Sequence, residues 1–220
     1  MINQCDGCRA GMPLNAFRLH VGADGKPHMA CCRHLYKKEN AVVYDSLMID
    51  LETMGTGPNA AVIQLGAVAF NSVNGLTDPD GMSRDIDLHS SVLLGGEVDA
   101  PTVQWWRDRG GLELKNPVPL RAALLELAAW VKNLPKLERV WSQGANFDVP
   151  ILEGYYRRAG LECPWPYYAA RDTRTVYDLA KERGWKKPED SKAKHEALMD
   201  CLIQTKCLLN ALRFLREPKE

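Results

Sequence analysis

The chain has 220 residues, 45% of them hydrophobic, and its Lys plus Arg and Asp plus Glu balance at 28 each, for a formal net charge of zero. The length suits one main domain with a substantial core and a small appendage, and the neutral balance excludes a strongly basic surface for gripping long nucleic acid. No apolar run approaches a membrane span and no signal-peptide core opens the chain, so a cytoplasmic location without membrane contact is expected, where the seven Cys read as thiols or metal ligands rather than a disulfide framework.

Residues 1–40 stand apart. They carry Cys5, Cys8, Cys31 and Cys32, with His20, His28 and His34. Cys5 and Cys8 are separated by two residues, and Cys31 and His34 repeat that spacing after a hairpin-length segment. Two short-spaced pairs of this kind fit a tetrahedral zinc site. Gly22 to Pro27 reads as a turn between two short strands. A piece of this size cannot bury enough core to fold alone, so a metal staple is physically useful. The expected ligands of one structural Zn²⁺ are Cys5, Cys8, Cys31 and His34, with Cys32 and His28 as alternatives. Lys37 to Asn40 reads as a linker.

The stretch Leu47-Met48-Ile49-Asp50-Leu51-Glu52-Thr53-Met54-Gly55 begins as a buried strand. A strand has a side-chain period of two, so Asp50 and Glu52 share a side and Leu51 opposes them. Two adjacent acids repel, which a divalent cation between them would relieve. Ala61 to Phe70 reads as a second buried strand and Ser83 to Leu88 as a half-exposed third, joined as an antiparallel meander. Asp99-Ala100-Pro101 opens a short helix carrying Trp105 and Trp106. Adjacent helical positions point about 100° apart, so one Trp is expected in the core and the other as a stacking surface for a base. Helical spacing predicts a helix over 118–133. A short strand follows over 139–142, and then a helix with Asp148 at its start, where a helix cap is a competing explanation. Tyr167 to Ala170 reads as a further strand, Asp172 as the cap of the next helix, and 196–215 as one long terminal helix.

Four acids and one histidine remain: Asp50, Glu52, Asp148, Asp200 and His195. They form an ordered pattern of Asp-x-Glu on a first strand, Asn-Phe-Asp before a middle helix, and His-x-Ala-x-x-Asp near the last helix. Over residues 45–213 this resembles the DEDD exonuclease superfamily, in the branch with a catalytic histidine that includes RNase T-like and proofreading exonucleases. Residues 48–70 look closest to small phage and bacterial exonucleases of that superfamily. Gln143-Gly144-Ala145-Asn146 departs from its commoner His-Asn-x-x-Phe-Asp form. The resemblance implies an α/β, RNase H-like mixed sheet flanked by helices; it allows a homodimer, as in RNase T, and leaves the oligomeric state open. It also implies 3′-to-5′ hydrolysis of phosphodiester bonds at nucleic-acid 3′ ends, single-stranded DNA or RNA favoured. A phage-encoded copy would act in the cytoplasm of a bacterial host.

The chemistry matches the residue types. Two divalent ions about 4 Å apart can activate water and stabilise a leaving oxygen, and Mg²⁺ or Mn²⁺ needs only a few carboxylates. Asp50, Glu52, Asp148 and Asp200 are the expected ligands of two such ions, with Asp50 bridging them by resemblance. His195 is the expected general base. His195 and Asp200, five residues apart, would lie about 140° apart on a continuous helix, so His195 belongs in the preceding loop. Thr53, Met54 and Trp106 are the expected substrate contacts. Competing expectations are a non-catalytic protein that grips single-stranded ends, and a proofreading subunit that needs a polymerase partner.

Overall fold

A computed structural model describes residues 43–111, 113–134, 136–144, 146–189 and 195–218, together with the backbone of two short strands at 17–21 and 27–31. The chain divides into two units, Met1–Val42 and Val43–Glu220. In the first, β1 (Phe17–Val21) pairs antiparallel with β2 (Pro27–Cys31), as the hairpin reading expects. Cys5, Cys8, Cys32 and His34 lie outside the described residues, as do the linker 37–40 and the side chain of Cys31, and with them the expected zinc site.

The second unit is a five-stranded mixed sheet covered by helices. Its strands are β3 (Ser46–Thr53), β4 (Val62–Phe70), β5 (Met82–Asp85), β6 (Arg139–Ser142) and β7 (Ala170–Asp172), in the order β5-β4-β3-β6-β7. β3, β4 and β5 form the antiparallel meander, while β6 and then β7 run parallel to β3. The helices are α1 (Leu88–Leu93), α2 (Ala100–Asp108), α3 (Leu120–Lys132), α4 (Asp148–Arg158), α5 (Thr173–Glu182) and α6 (Ala197–Arg216).

β3 and β4 are apolar on both faces because helices cover both. Leu47, Ile49, Leu65 and Ala67 share one core with Leu120 and Leu124 of α3 and Ile151 and Tyr155 of α4. Met48, Val68 and Phe70 share the other with Tyr177 of α5 and Cys201, Leu208 and Ala211 of α6. Near-continuous apolar strands are what a doubly covered sheet requires. Among the described residues no helix is long and apolar enough to cross a membrane.

Two elements differ from expectation. The third strand stops at Asp85, because Asp87 accepts from the backbone N–H groups of His89 and Ser90 and opens α1 instead. A side-chain cap offers the backbone an alternative to the ladder, and the alternation over 83–88 concealed it. The last strand begins at Ala170, so Tyr167 and Tyr168 stand exposed ahead of it.

Candidate active site

The site assembles where β3 ends. Asp50 and Glu52 point to the same side as Met48, toward α6, while Leu47, Ile49 and Leu51 enter the opposite core. On the neighbouring strand Asp50 pairs with Gly66, and Glu52 with Gln64. Both partners receive the start of α6. A Cβ on Gly66 would lie 2.3 Å from the carbonyl carbon of Ala197, so only glycine lets this helix come so close. Gln64 Oε1 accepts from the Ala197 N–H at 2.7 Å while its Nε2 donates to Asp85.

Asp200 lies in the first turn of α6 and its Oδ2 accepts from the backbone N–H of His195 at 3.0 Å. His195 itself has a left-handed backbone, φ 56°, and stands outside the helix. That conformation is uncommon for a residue with a side chain. The middle acid arrives from the other side. Asp148 is the first residue of α4, and its Oδ1 accepts from the N–H of Leu51, the residue between the two β3 acids.

Burial and mutual repulsion dominate the electrostatics. Burial, and then the charges of Asp148 and Glu52, push the Asp50 carboxyl well above the usual carboxylate range. Burial followed by Asp200 and Asp148 raises Glu52 to about 8. Burial raises Asp148 to about 7 even though the Leu51 N–H and Arg174 favour its charged form. Carboxylates crowded in this way have unmet affinity for cations. Ligand atoms of Glu52, Asp200 and His195 all lie within 4.8 Å of one another, His195 exposed and the acids buried. The donor set is mostly hard oxygen, which suits Mg²⁺ or Mn²⁺.

Beside the acids lies a cleft of about 780 Å³ whose lining includes Glu52, Thr53, Thr56, Trp105, Trp106 and Phe147. Thr53 and Trp106 are thus brought to it, but Met54 is not part of its lining. Trp106 is the buried member of the tandem pair, its indole N–H donating to the Thr53 carbonyl at 3.0 Å. Trp105 is half-buried, with the Arg109 guanidinium 4.0 Å over its ring and His195 edge-on at 4.9 Å. Sequence reasoning missed Gln64 and Gln204. Both are polar residues on otherwise inward-facing positions, Gln64 inside an apolar strand and Gln204 four residues after Asp200 on the inner side of α6, and that misfit is the signal that marks them.

The profile of the 3′-5′ exoribonuclease Rv2179c-like domain matches residues 45–212. The chain belongs to that family. It is a 3′-5′ exonuclease, a hydrolase. An exodeoxyribonuclease of Enterobacteria phage T4 is 26% identical over 204 residues, covering 76% of this chain and 88% of the phage protein. Among solved structures, the nuclease domain of 3′hExo, a DEDDh family member bound to rAMP, is 14% identical over 79% of this chain and 92% of its own, with a TM-score of 0.47. The RNase domain of the yeast Pop2 protein is 11% identical over 84% of this chain and 81% of its own, with a TM-score of 0.43.

Proposed function

We propose that this exonuclease releases nucleotides from single-stranded 3′ ends by divalent-metal-assisted hydrolysis, with Asp50, Glu52, Asp148 and Asp200 holding the ions and His195 as general base. The observation that carries this reading is the gathering of four acids and one exposed imidazole at the end of β3. When bound, a pair of divalent ions would supply Lewis-acid stabilisation of the phosphate oxygens and a lowered pKa for the attacking water. The residues of the chain do the rest. His195 takes the proton of the attacking water, in reach because its left-handed backbone holds it outside α6 and beside Glu52 and Asp200. Trp105 offers the base a half-buried aromatic face, and Trp106 holds the turn after β3 through the Thr53 carbonyl. This assigns the stacking role to Trp105 in place of Trp106.

The relatives divide on the sugar: the family description names an exoribonuclease, and the phage protein is an exodeoxyribonuclease. We take single-strandedness, rather than the sugar, as the feature selected. A cleft that ends against a buried acid cluster receives one unpaired nucleotide more readily than a duplex terminus.

The test is digestion of 5′-labelled DNA and RNA oligonucleotides, single- and double-stranded, with Mg²⁺, Mn²⁺ or EDTA. A ladder that shortens from the 3′ end with metal and vanishes in EDTA is expected, faster on single strands. Equal rates in EDTA, or loss of the label in the first product, would sink the reading. Residues 1–40 are proposed as a separate zinc-binding module on their Cys and His spacing, with residues 45–213 as the nuclease domain. About one zinc per chain by metal analysis, lost in a Cys5→Ser/Cys8→Ser protein that still cleaves, is the expected result.

A further inference from the structure

Gln204 lies on α6 four residues beyond Asp200, and its side chain is buried. At that separation two helical side chains project about 40° apart, so both reach the end of β3 from one face. Gln204 Nε2 donates to Asp50 Oδ1 at 2.8 Å. Its Oε1 is buried and has no hydrogen-bond partner among the described residues. An ionised carboxylate, the form that ligates a cation, offers only acceptors, so the amide can meet it only through its N–H end, and the carbonyl end is left unmatched. A buried amide with half of its capacity unmet is a poor packing residue. Methionine, unbranched and of similar length, would fill the same space at no polar cost. What the amide gains over methionine is the hydrogen bond to Asp50.

That bond matters because of what surrounds Asp50. Glu52, Asp148 and Asp200 all bring like charge toward it, and among the described residues the Gln204 N–H is the side-chain donor that meets it. We propose that Gln204 is a positioning residue for the exonuclease reaction, whose N–H fixes the rotation of the Asp50 carboxylate so that its remaining lone pairs are presented to the divalent ions. This rests on the reading of Asp50 as a metal ligand. Groups that orient a ligating side chain typically contribute about 10–100-fold in metal affinity or activity. Gln204 touches neither substrate nor the reacting atoms, so its effect passes entirely through Asp50.

The experiment compares wild type, Gln204→Met and Asp50→Asn. Mn²⁺ affinity is read by isothermal titration calorimetry, kcat and KM on a single-stranded oligonucleotide, and Tm in EDTA. Gln204→Met should stay folded with a Tm close to that of the wild type, because relief of the unmatched carbonyl offsets the lost hydrogen bond to Asp50. It should bind Mn²⁺ about 10–100-fold more weakly and lose kcat by a similar factor, with KM moved less and part of kcat restored by excess Mn²⁺. Asp50→Asn should lose tight Mn²⁺ binding altogether. Wild-type Mn²⁺ affinity and kcat in Gln204→Met, beside an Asp50→Asn protein that has lost both, overturn the positioning role and leave the ligand reading standing. An Asp50→Asn protein that binds Mn²⁺ and cleaves as wild type overturns the ligand reading and this inference with it. Should Gln204→Met fail to fold, Gln204→Asn serves the same comparison, since it keeps the amide but withdraws the N–H from Asp50 by one methylene.

Discussion

Gly66 pairs with Asp50 across the β3–β4 ladder, and the space a Gly66 side chain would take is filled by the backbone of Ala197 and Leu198 at the start of α6. One missing Cβ therefore sets the distance between the strand that carries two acids and the helix that carries the fourth. Gly66→Ala should push the first turn of α6 outward, since its clash is with backbone rather than with the end of a flexible side chain. Overpacking of this kind costs about 1–3 kcal/mol. A displacement near 1 Å at Asp200 and His195 should also lower kcat by about 10²-fold. A melting curve and single-turnover kinetics check both. Wild-type kcat in a folded Gly66→Ala protein would show that the close approach serves packing alone.

The raised carboxyls make a pH prediction. Glu52 titrates at about 8 and Asp148 at about 7 in the folded, metal-free protein, against ordinary values of 4.5 and 3.8. Between those limits the folded state holds protons that the unfolded state has released, so stability falls as pH rises. The metal-free protein should therefore melt at a higher temperature near pH 5 than near pH 8, through this cluster. Mg²⁺ or Mn²⁺ should raise Tm far more at pH 8 than at pH 5, and its binding near pH 7 should release protons. Calorimetry in buffers of different ionisation enthalpy measures that release. Metal binding with no proton release at pH 7 would contradict the crowding of these acids.

The candidate site residues legible in the sequence are those whose side chains sit in a fixed local frame. Asp50 and Glu52 were legible because strand periodicity alone puts them on one side. His195 was legible as a loop residue because five positions cannot share a helical face, and the left-handed φ places it there. The partners of Gln64, Gly66 and Gln204 are hidden for a different reason. Each residue acts through an element distant in sequence: Gln64 and Gly66 on α6, Gln204 on β3. No local pattern carries a contact over more than 100 residues. The third strand ends short of its alternating pattern because a local hydrogen bond, the Asp87 cap, outweighs that pattern. The expectation of Trp106 as the substrate contact meets a buried Trp106, because adjacent positions with equal hydrophobicity differ only in which one the core accepts.

Trp105 and Trp106 should part company on mutation. Trp106 is 6% exposed and tied to the Thr53 carbonyl, so Trp106→Ala opens a cavity and orphans that carbonyl. A loss of about 3–5 kcal/mol is expected, read as a lowered Tm. Trp105 stands partly open between Arg109 and His195. Trp105→Ala should leave Tm nearly unchanged and raise KM for a single strand by an amount fitting about 1–3 kcal/mol of lost stacking. Equal destabilisation by both changes would make Trp105 a core residue too.

His195 can be separated from the acids, and its imidazole from its backbone. A positioned general base contributes typically about 10²–10⁴-fold, so replacing it should slow cleavage without abolishing it. Replacing a metal-holding acid should instead remove the ions and with them the reaction. The choice of replacement matters because φ at His195 is 56°. The left-handed region strains any residue with a Cβ, but the short polar side chain of asparagine eases it locally and that of alanine cannot. His195→Asn should therefore keep the backbone N–H on Asp200 Oδ2 and hold the start of α6 in place. It should bind Mn²⁺ with nearly wild-type affinity, retain KM, and lose about 10²–10⁴-fold in kcat. The limb of the kcat–pH profile that reports deprotonation of the base should disappear with it. His195→Ala should show the same loss of kcat plus a lower Tm, and the difference between the two proteins isolates the backbone contribution. If His195→Asn cleaves at the wild-type rate with an unchanged pH profile, the base lies elsewhere, and His195 is retained for its N–H to Asp200.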